Sequence, residues 1–403
     1  MRAYGMGKLN IENNISKIYV LKFFTMCLVL MPIIVPFFQS VGIGMRGVYL
    51  LQSVFAITVF ILEIPSGYIS DLLGRKNTLI ASSCLKGIGF SLFPLASNLT
   101  MLIVAEVILG VAVSLQSGTD TALIYDTLEV TENKQAQIKI LGKSLSFFAL
   151  GEGVASLVTS VLLILSFSMK NLAVISAIMS WIPFFITLTL VEPPRKKMGT
   201  KHRENMGYIY AGLFKQSRLL NLIILNSIFS FSGTLMAVWV FQKYWENLHI
   251  PLIYFGFLWA ATNFTVSFTS KRAHKVEKRW GSLNVLIVIA VLPVIGFLGM
   301  SLIDHVLGIM ACMLFQVCRG LGQVILKDAL NKRVSGDFRA TANSVTQMGT
   351  RIFFACVGPL FGYMIDQRGL ATSSLGLSGF YIVVFFLVML PLLKERKNFI
   401  AIV

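Results

Sequence analysis

Charged residues are scarce in this chain of 403 residues, since Asp, Glu, Lys and Arg together make up only 13% of it. Soluble domains carry about 25% charged residues, so the composition excludes an ordinary soluble protein. Apolar residues account for 56%, and the mean hydropathy is +0.76. A bilayer core of about 30 Å is crossed by ~20 apolar residues in a helix. The long apolar runs therefore predict an all-α membrane protein with many spans.

Cysteine and histidine are also rare, with five and four copies. Every cysteine lies inside an apolar run and none has the spacing of metal ligands, so we expect no disulfide, metal site or cofactor. Every histidine falls in a predicted loop or interface, which argues against a histidine proton relay. The cysteines and then the histidines are Cys27, Cys84, Cys312, Cys318, Cys356, His202, His249, His274 and His305.

Enzyme motifs are missing as well. The chain has no H-E-x-x-H or G-x-S-x-G, and the "GKS" at Gly142–Ser144 lacks the first glycine of a phosphate loop because Gln137 stands there. A multi-spanning enzyme is therefore not expected. A non-transporting membrane sensor is disfavoured too, because the tails and the central loop are too short for an added soluble domain.

Twelve membrane spans can be predicted from the apolar runs. They are Ser16–Phe38, Arg46–Ile69, Asn77–Ala96, Leu99–Leu123, Ile138–Phe167, Leu172–Val191, Leu219–Gln242, Pro251–Ser270, Ser282–Leu302, His305–Lys327, Ala340–Ile365 and Ser374–Leu393. A polar stretch at 192–218 divides them into six-helix halves at 1–191 and 219–403. This plan of two fused halves is typical of transporters.

The basic residues set the orientation. If the N-terminus is cytoplasmic, 27 of the 35 Lys and Arg residues lie in inside segments or at the adjoining span ends, four in outside loops or at their span ends, and four deeper within spans. Since cytoplasmic loops are enriched in Lys and Arg, this distribution places both termini inside. The net charge of +17 then reflects topology, and no nucleic-acid partner is needed.

The stretch "GYISDLLGRKNTL" interrupts the apolar runs between spans 2 and 3 with an acid, a glycine and two bases. Glycine permits a tight turn and close backbone approach, and the arginine can bind a carboxylate through two N–H groups. The stretch contains the pattern G-x-x-x-D-x-x-G-R-K, formed by Gly67, Asp71, Gly74, Arg75 and Lys76. At these residues the chain resembles the major facilitator superfamily, whose signature G-x-x-x-D-x-x-G-R-[RK] lies in the same loop. "SGTDTALIYDTL" and "RGLGQVILKDALNKRV" extend the resemblance to a bacterial subgroup.

The resemblance implies a cytoplasmic charge relay. In the family, the acid and arginine of this loop join an acid at the cytoplasmic end of helix 4, where this chain has Asp126. An Asp71–Arg75–Asp126 cluster would then latch the outward-open state. The corresponding loop of the second half reads "HKVEKRWGSLN": Gly281 aligns with Gly74, but the acid and the arginine are not kept.

Eight further charges lie away from the ends of the spans, at bilayer depth, where ionisable groups are costly and mark pathways or ion pairs. They are Lys22, Glu63, Lys86, Glu106, Asp120, Glu152, Arg319 and Arg351. The resemblance implies that helices 1, 4, 7 and 10 line the cavity. This makes four of them, Lys22, Glu106, Asp120 and Arg319, candidates for proton coupling or substrate binding, with Glu152 added for its depth. It makes Glu63 and Arg351 candidates for a gate ion pair.

For each of these charges, a static pair that fixes helix packing remains the alternative. Lys22 and Lys86 have a second alternative, because a lysine near a helix end can extend its ammonium to the inner surface.

The combined expectation is a monomeric secondary transporter of the bacterial inner membrane that exports an organic small molecule in exchange for protons. Its partners would be the substrate, protons and the lipid bilayer. A proton-coupled importer, or a siderophore or metabolite carrier of the same fold, is the alternative. Drug–proton antiporters of the family carry an arginine where this chain has Glu106, which weakens a multidrug assignment.

Overall fold

The computed structural model describes residues 11–131, 134–194, 217–334 and 339–395, and the regular elements in these ranges are all helices. The helices up to residue 194 are α1 (Asn14–Met26), α2 (Ile34–Ser40), α3 (Met45–Leu73), α4 (Arg75–Leu92), α5 (Leu99–Gln116), α6 (Thr119–Val130), α7 (Gln137–Ile164), α8 (Met169–Met179) and α9 (Ile182–Leu188). The later helices are α10 (Arg218–Asn247), α11 (Phe255–Trp280), α12 (Ser282–Leu302), α13 (Ile309–Asn331), α14 (Arg339–Val384) and α15 (Leu390–Lys394).

Eleven helical stretches in the described ranges are long and apolar enough to cross a membrane. The last of them, Thr341–Lys394, covers the final two predicted spans except for Ala340. Within it the backbone of Gly369 is not helical, with φ 81° and ψ 163°. The protein is therefore an all-helical multi-pass membrane protein, and the count of twelve spans stays a prediction.

The chain folds as two compact units. The first comprises residues 1–43, 54–198 and 252–260, and the second comprises residues 44–53, 199–251 and 261–403. The short segments 44–53 and 252–260 thus belong to the unit that is otherwise formed by the opposite half of the sequence. Most of the predicted linker at 192–218 lies outside the described residues.

The first predicted span is not one continuous helix. Helix α1 ends at Met26, four residues without helical structure follow, and a short 3₁₀ turn at Met31–Ile33 leads into α2. Pro32 lacks the N–H group that a continuous helix would direct to the carbonyl of Leu28, and its ring would clash with that carbonyl, so the helix does not continue through this segment. The expectation of a single helix over Ser16–Phe38 was wrong at this point.

The fourth predicted span is broken as well. Helix α5 ends at Gln116 and α6 begins at Thr119, with Gly118 between them at φ 76°. Residues with side chains rarely adopt this conformation, and glycine does so at low cost. Helix α6 then runs to Val130, beyond the predicted end at Leu123, so that Asp126 lies within a helix.

Glycines allow helices of the first unit to pack at close range, as is common between membrane helices. A Cβ atom on Gly151 of α7 would lie 2.1 Å from the backbone oxygen of Phe23 in α1. Gly153 lies on the same helix, and no described atom lies within 4 Å of the corresponding position. The α1–α7 contact therefore requires glycine at one of these positions and tolerates a side chain at the other.

We expect Gly151→Ala to destabilise the fold by about 1–3 kcal/mol, the usual cost of an overpacked contact, because the obstructing group is backbone. The measurement is the free energy of unfolding in mixed detergent micelles, with Gly153→Ala as the matched control. Equal stability of the two variants would contradict the close α1–α7 packing.

Candidate functional site

The loop that carries the family pattern contains a single non-helical residue. Helix α3 extends to Leu73 and α4 begins at Arg75, with Gly74 between them at φ 101°. Asp71 thus lies in the last turn of α3. Gly67 lies exposed inside α3, and no described atom lies within 4 Å of where its Cβ would be. Gly74 therefore packs closely against a neighbour, and Gly67 does not.

Arg75 joins two acids from different helices. Its Nη1 lies 2.7 Å from Asp71 Oδ1, and its Nε lies 3.3 Å from Asp126 Oδ2 on α6. Nη1 also donates to the hydroxyl of Ser70, at 2.9 Å. The guanidinium therefore contacts three groups, rather than binding one carboxylate with two parallel bonds. The Arg75 side chain is 17% exposed, compared with 45% for Asp71 and 22% for Asp126.

A third acid, Glu192, completes this cluster. Its two carboxylate oxygens accept from the backbone N–H groups of Arg75, at 2.8 Å, and Lys76, at 2.6 Å. A carboxylate there interacts favourably with the N-terminal dipole of α4. A Cβ on Gly74 would lie 2.9 Å from the same carboxylate, so glycine is needed for this approach as well as for the turn. Sequence analysis did not identify Glu192.

The second-half copy of this loop has the turn without the acid–arginine pair. Gly281 has φ 79° and precedes α12 as Gly74 precedes α4. Glu277, in the last turn of α11, accepts a hydrogen bond from the hydroxyl of Ser282 at 2.7 Å. A cavity of about 730 Å³ lies beside this turn, lined by residues that include Lys278 and Lys332.

Lys22 and Asp120 form a salt bridge between α1 and α6. Their side chains are only 15% and 6% exposed. Asp120 lies in the first turn of α6, where the helix dipole favours a negative charge, and it also accepts from the hydroxyl of Thr121 at 3.1 Å. The alternative that Lys22 extends to the inner surface was wrong, because its ammonium binds this buried carboxylate.

Glu152 accepts a hydrogen bond at 2.9 Å from the indole N–H of Trp259. Glu63 accepts from the hydroxyl of Ser117 at 3.5 Å. Glu106 is 4% exposed. Arg319 and Arg351 are half-buried, and the Glu63–Arg351 gate pair stays a prediction.

Asp366, near Gly369 in α14, is a further acid that sequence analysis missed. Its carboxylate accepts from the backbone N–H groups of Met45 and Arg46, both at 2.8 Å. A Cβ on Gly44 would lie 2.8 Å from the same group. The N-terminus of α3 is therefore capped by a carboxylate, as is the N-terminus of α4.

Comparisons with known proteins identify the fold. The model of the Major Facilitator Superfamily matches residues 19–359. A search of curated proteins gave no match.

Three solved structures illustrate the similarity. The nucleoside transporter NupG has a TM-score of 0.78 at 16% identity, over 95% of this chain and 99% of that chain. A bacterial homolog of the human lysosomal transporter Spinster has a TM-score of 0.71 at 14% identity, over 96% of this chain and 98% of that chain. A D-xylose–proton symporter has a TM-score of 0.67 at 12% identity, over 93% of this chain and 97% of that chain. At such identities the likeness establishes the fold alone.

Glu192→Ala should lower the free energy of unfolding by about 0.5–2 kcal/mol, the usual effect of losing a helix cap. Asp328→Asn is the control, because it removes an acid from the exposed Asp328–Lys332 pair at 3.0 Å, and such pairs contribute about 0.3–0.5 kcal/mol. Detergent-induced unfolding measures both. An effect of Glu192→Ala no larger than the control would contradict the cap.

Proposed function

This chain belongs to the Major Facilitator Superfamily, and we propose that it is a secondary active transporter that exports an organic small molecule in exchange for protons. The observation that carries the transporter assignment is the Arg75 cluster, in which the family signature is joined to Asp126. We place the protein in the bacterial inner membrane as a monomer with twelve spans in two halves, 1–191 and 219–403, and both termini in the cytoplasm. The substrate would bind between halves that rock to expose it to either side.

The Asp71–Arg75–Asp126 cluster supports a gate at the cytoplasmic ends of α3, α4 and α6. Charge-assisted hydrogen bonds contribute about 1.5–3 kcal/mol each, so this cluster is strong enough to bias a two-state equilibrium. Such a gate sets the rate at which the protein interconverts between its inward-open and outward-open states. It does not alter the contacts that bind the substrate.

We expect Arg75→Ala to slow transport roughly 10- to 100-fold, the factor that corresponds to about 1.5–3 kcal/mol. Asp71→Asn should act in the same direction but less strongly, because Asp71 is the more exposed acid. Initial rates and equilibrium substrate binding are measured together, with Asp328→Asn as control. A loss of affinity with an unchanged maximal rate would rule out the gate.

The Lys22–Asp120 pair supports proton coupling through a carboxylate. Protonation of Asp120 would remove its charge and release Lys22, which then becomes available to an anionic group. Glu152, whose visible partner is the neutral Trp259, is the second candidate. Import by symport is the alternative, in keeping with the D-xylose–proton symporter among the similar structures.

Inside-out vesicles that contain the protein provide the test. The probes are nucleosides, pentoses, dipeptides and the cationic dye ethidium, each followed under an imposed pH gradient. We expect uptake of at least one probe to depend on the pH gradient. The direction of the gradient that drives accumulation distinguishes export from import. Flux that ignores the gradient would exclude proton coupling.

In the same vesicles, Asp120→Asn should abolish gradient-driven accumulation while downhill exchange continues, because the variant cannot bind and release a proton at this position. Glu152→Gln tests the second acid in the same way. Unchanged coupling in both variants would remove both carboxylates from the mechanism.

A further inference from the structure

The break between α1 and α2 is held by side chains from three other helices. Ser176 of α8 accepts from the N–H of Leu30 at 2.8 Å, and Thr159 of α7 donates to the carbonyl of Val29 at 2.7 Å. The third contact comes from α4, where the ammonium of Lys86 donates to the carbonyl of Thr25 in the last turn of α1. In a membrane, open backbone groups need such partners because no water is available.

Lys86 differs from the other two side chains because it carries a charge. Its residue is 6% exposed, and no carboxylate of the described chain lies within ion-pair distance of it. The charge that acts on it is that of Lys22, which has the same sign and is itself matched by Asp120. The ring of Phe90, 5.9 Å from the ammonium, adds a weak attraction.

The surroundings of Lys86 contain few other charged groups. On α1 the charged group is Lys22, and on α6 it is Asp120, already bound to Lys22. Helix α5 packs beside Gly89 through Leu109 and the backbone of Ala105, and it carries the buried acid Glu106. On the remaining side, the ring of Trp181 lies against Gly87.

A hydroxyl would suffice for a static cap, as Thr159 shows at Val29. A buried ammonium without a counter-ion costs far more, so a purely structural role does not explain why lysine stands here. Lysine is the basic side chain that readily changes its protonation state when buried. The C-terminal ends of discontinuous membrane helices, with their open carbonyls, are places where transporters hold coupling cations.

We propose that Lys86 binds a second coupling proton, beside the one that a carboxylate would carry, so that its ammonium occupies the cation position at the broken end of α1. This inference rests on the proposed transport function. In the release step the site opens to one side of the membrane and water enters. One N–H bond of the ammonium then breaks, its electron pair stays on Nζ, and the proton passes to that water. The neutral amine then holds the Thr25 carbonyl through a hydrogen bond about half as strong. Loss of the charge loosens the α1–α2 break, and reprotonation restores it.

Trp181 is a natural reporter of this change, because its ring packs on the residue next to Lys86 and its N–H donates to Ser91 at 3.1 Å. The experiment is a pH titration of tryptophan fluorescence on the purified full-length protein in nanodiscs. Protons are the only ligand, so no substrate is required. Trp181→Phe identifies the part of the signal that comes from Trp181.

We expect one fluorescence transition between about pH 5 and 10, absent from Trp181→Phe. Lys86→Met should abolish it, and Lys86→Arg should abolish it too, because arginine keeps its proton throughout this range. Lys170→Gln, which changes an exposed lysine of the same unit, should leave it unchanged. In Asp120→Asn the transition should persist at lower pH, because Lys22 then repels the Lys86 ammonium without compensation.

A transition that persists in Lys86→Met, or none in the wild-type protein, would overturn the proposal. A transition lost in Asp120→Asn and kept in both Lys86 variants would assign the titrating proton to the carboxylate alone and would also overturn the proposal. The vesicle assay separates the two levels of inference. If no probe is transported but the Lys86-dependent transition is present, the proton site stands and the transport function fails.

Discussion

Inside a bilayer, a backbone N–H or C=O group that leaves its helix must find another partner in the protein, because there is no water to supply one. Helix α1 opens such groups between Thr25, in its last turn, and Leu30, and side chains of α4, α7 and α8 bind them. The break therefore fixes three further helices around α1. Gly151 brings α7 to van der Waals distance of α1 just before the break, so packing and hydrogen bonding act on the same segment.

The second break, at Gly118, explains where a buried charge can exist. It creates a helix N-terminus within the predicted fourth span, and Asp120 lies in the first turn of the new helix. The dipole of α6 and the ammonium of Lys22 together stabilise a carboxylate that is almost fully buried. Lys22 in turn lies about one helical turn before the end of α1. The two interrupted helices and the ion pair thus depend on one another.

The sequence predicted the parts of the site that rest on local spacing. Asp71 and Arg75 are four residues apart and so share one helical face, and the family signature pointed to Asp126. Glu192 and Asp366 were missed because they cap helices that lie 117 and 321 residues away in sequence. The breaks were missed for another reason: Pro32 and Gly118 are visible in the sequence, but membrane helices often accommodate proline and glycine by a kink. Only the tertiary partners decide between a kink and a break.

Charged side chains cap several helix ends in the described part of the chain, and in the following three each charge has the sign that the helix dipole favours. Asp366 caps the N-terminus of α3, Glu192 that of α4, and Lys86 the C-terminus of α1. The first two are exposed and half-buried, respectively, so water shares in their solvation and their charges are inexpensive to maintain. Lys86 is buried, so its charge depends on its contacts with the protein. Protonation can control a cap whose charge costs much free energy to maintain. Among these three caps, that is Lys86 at the break in α1.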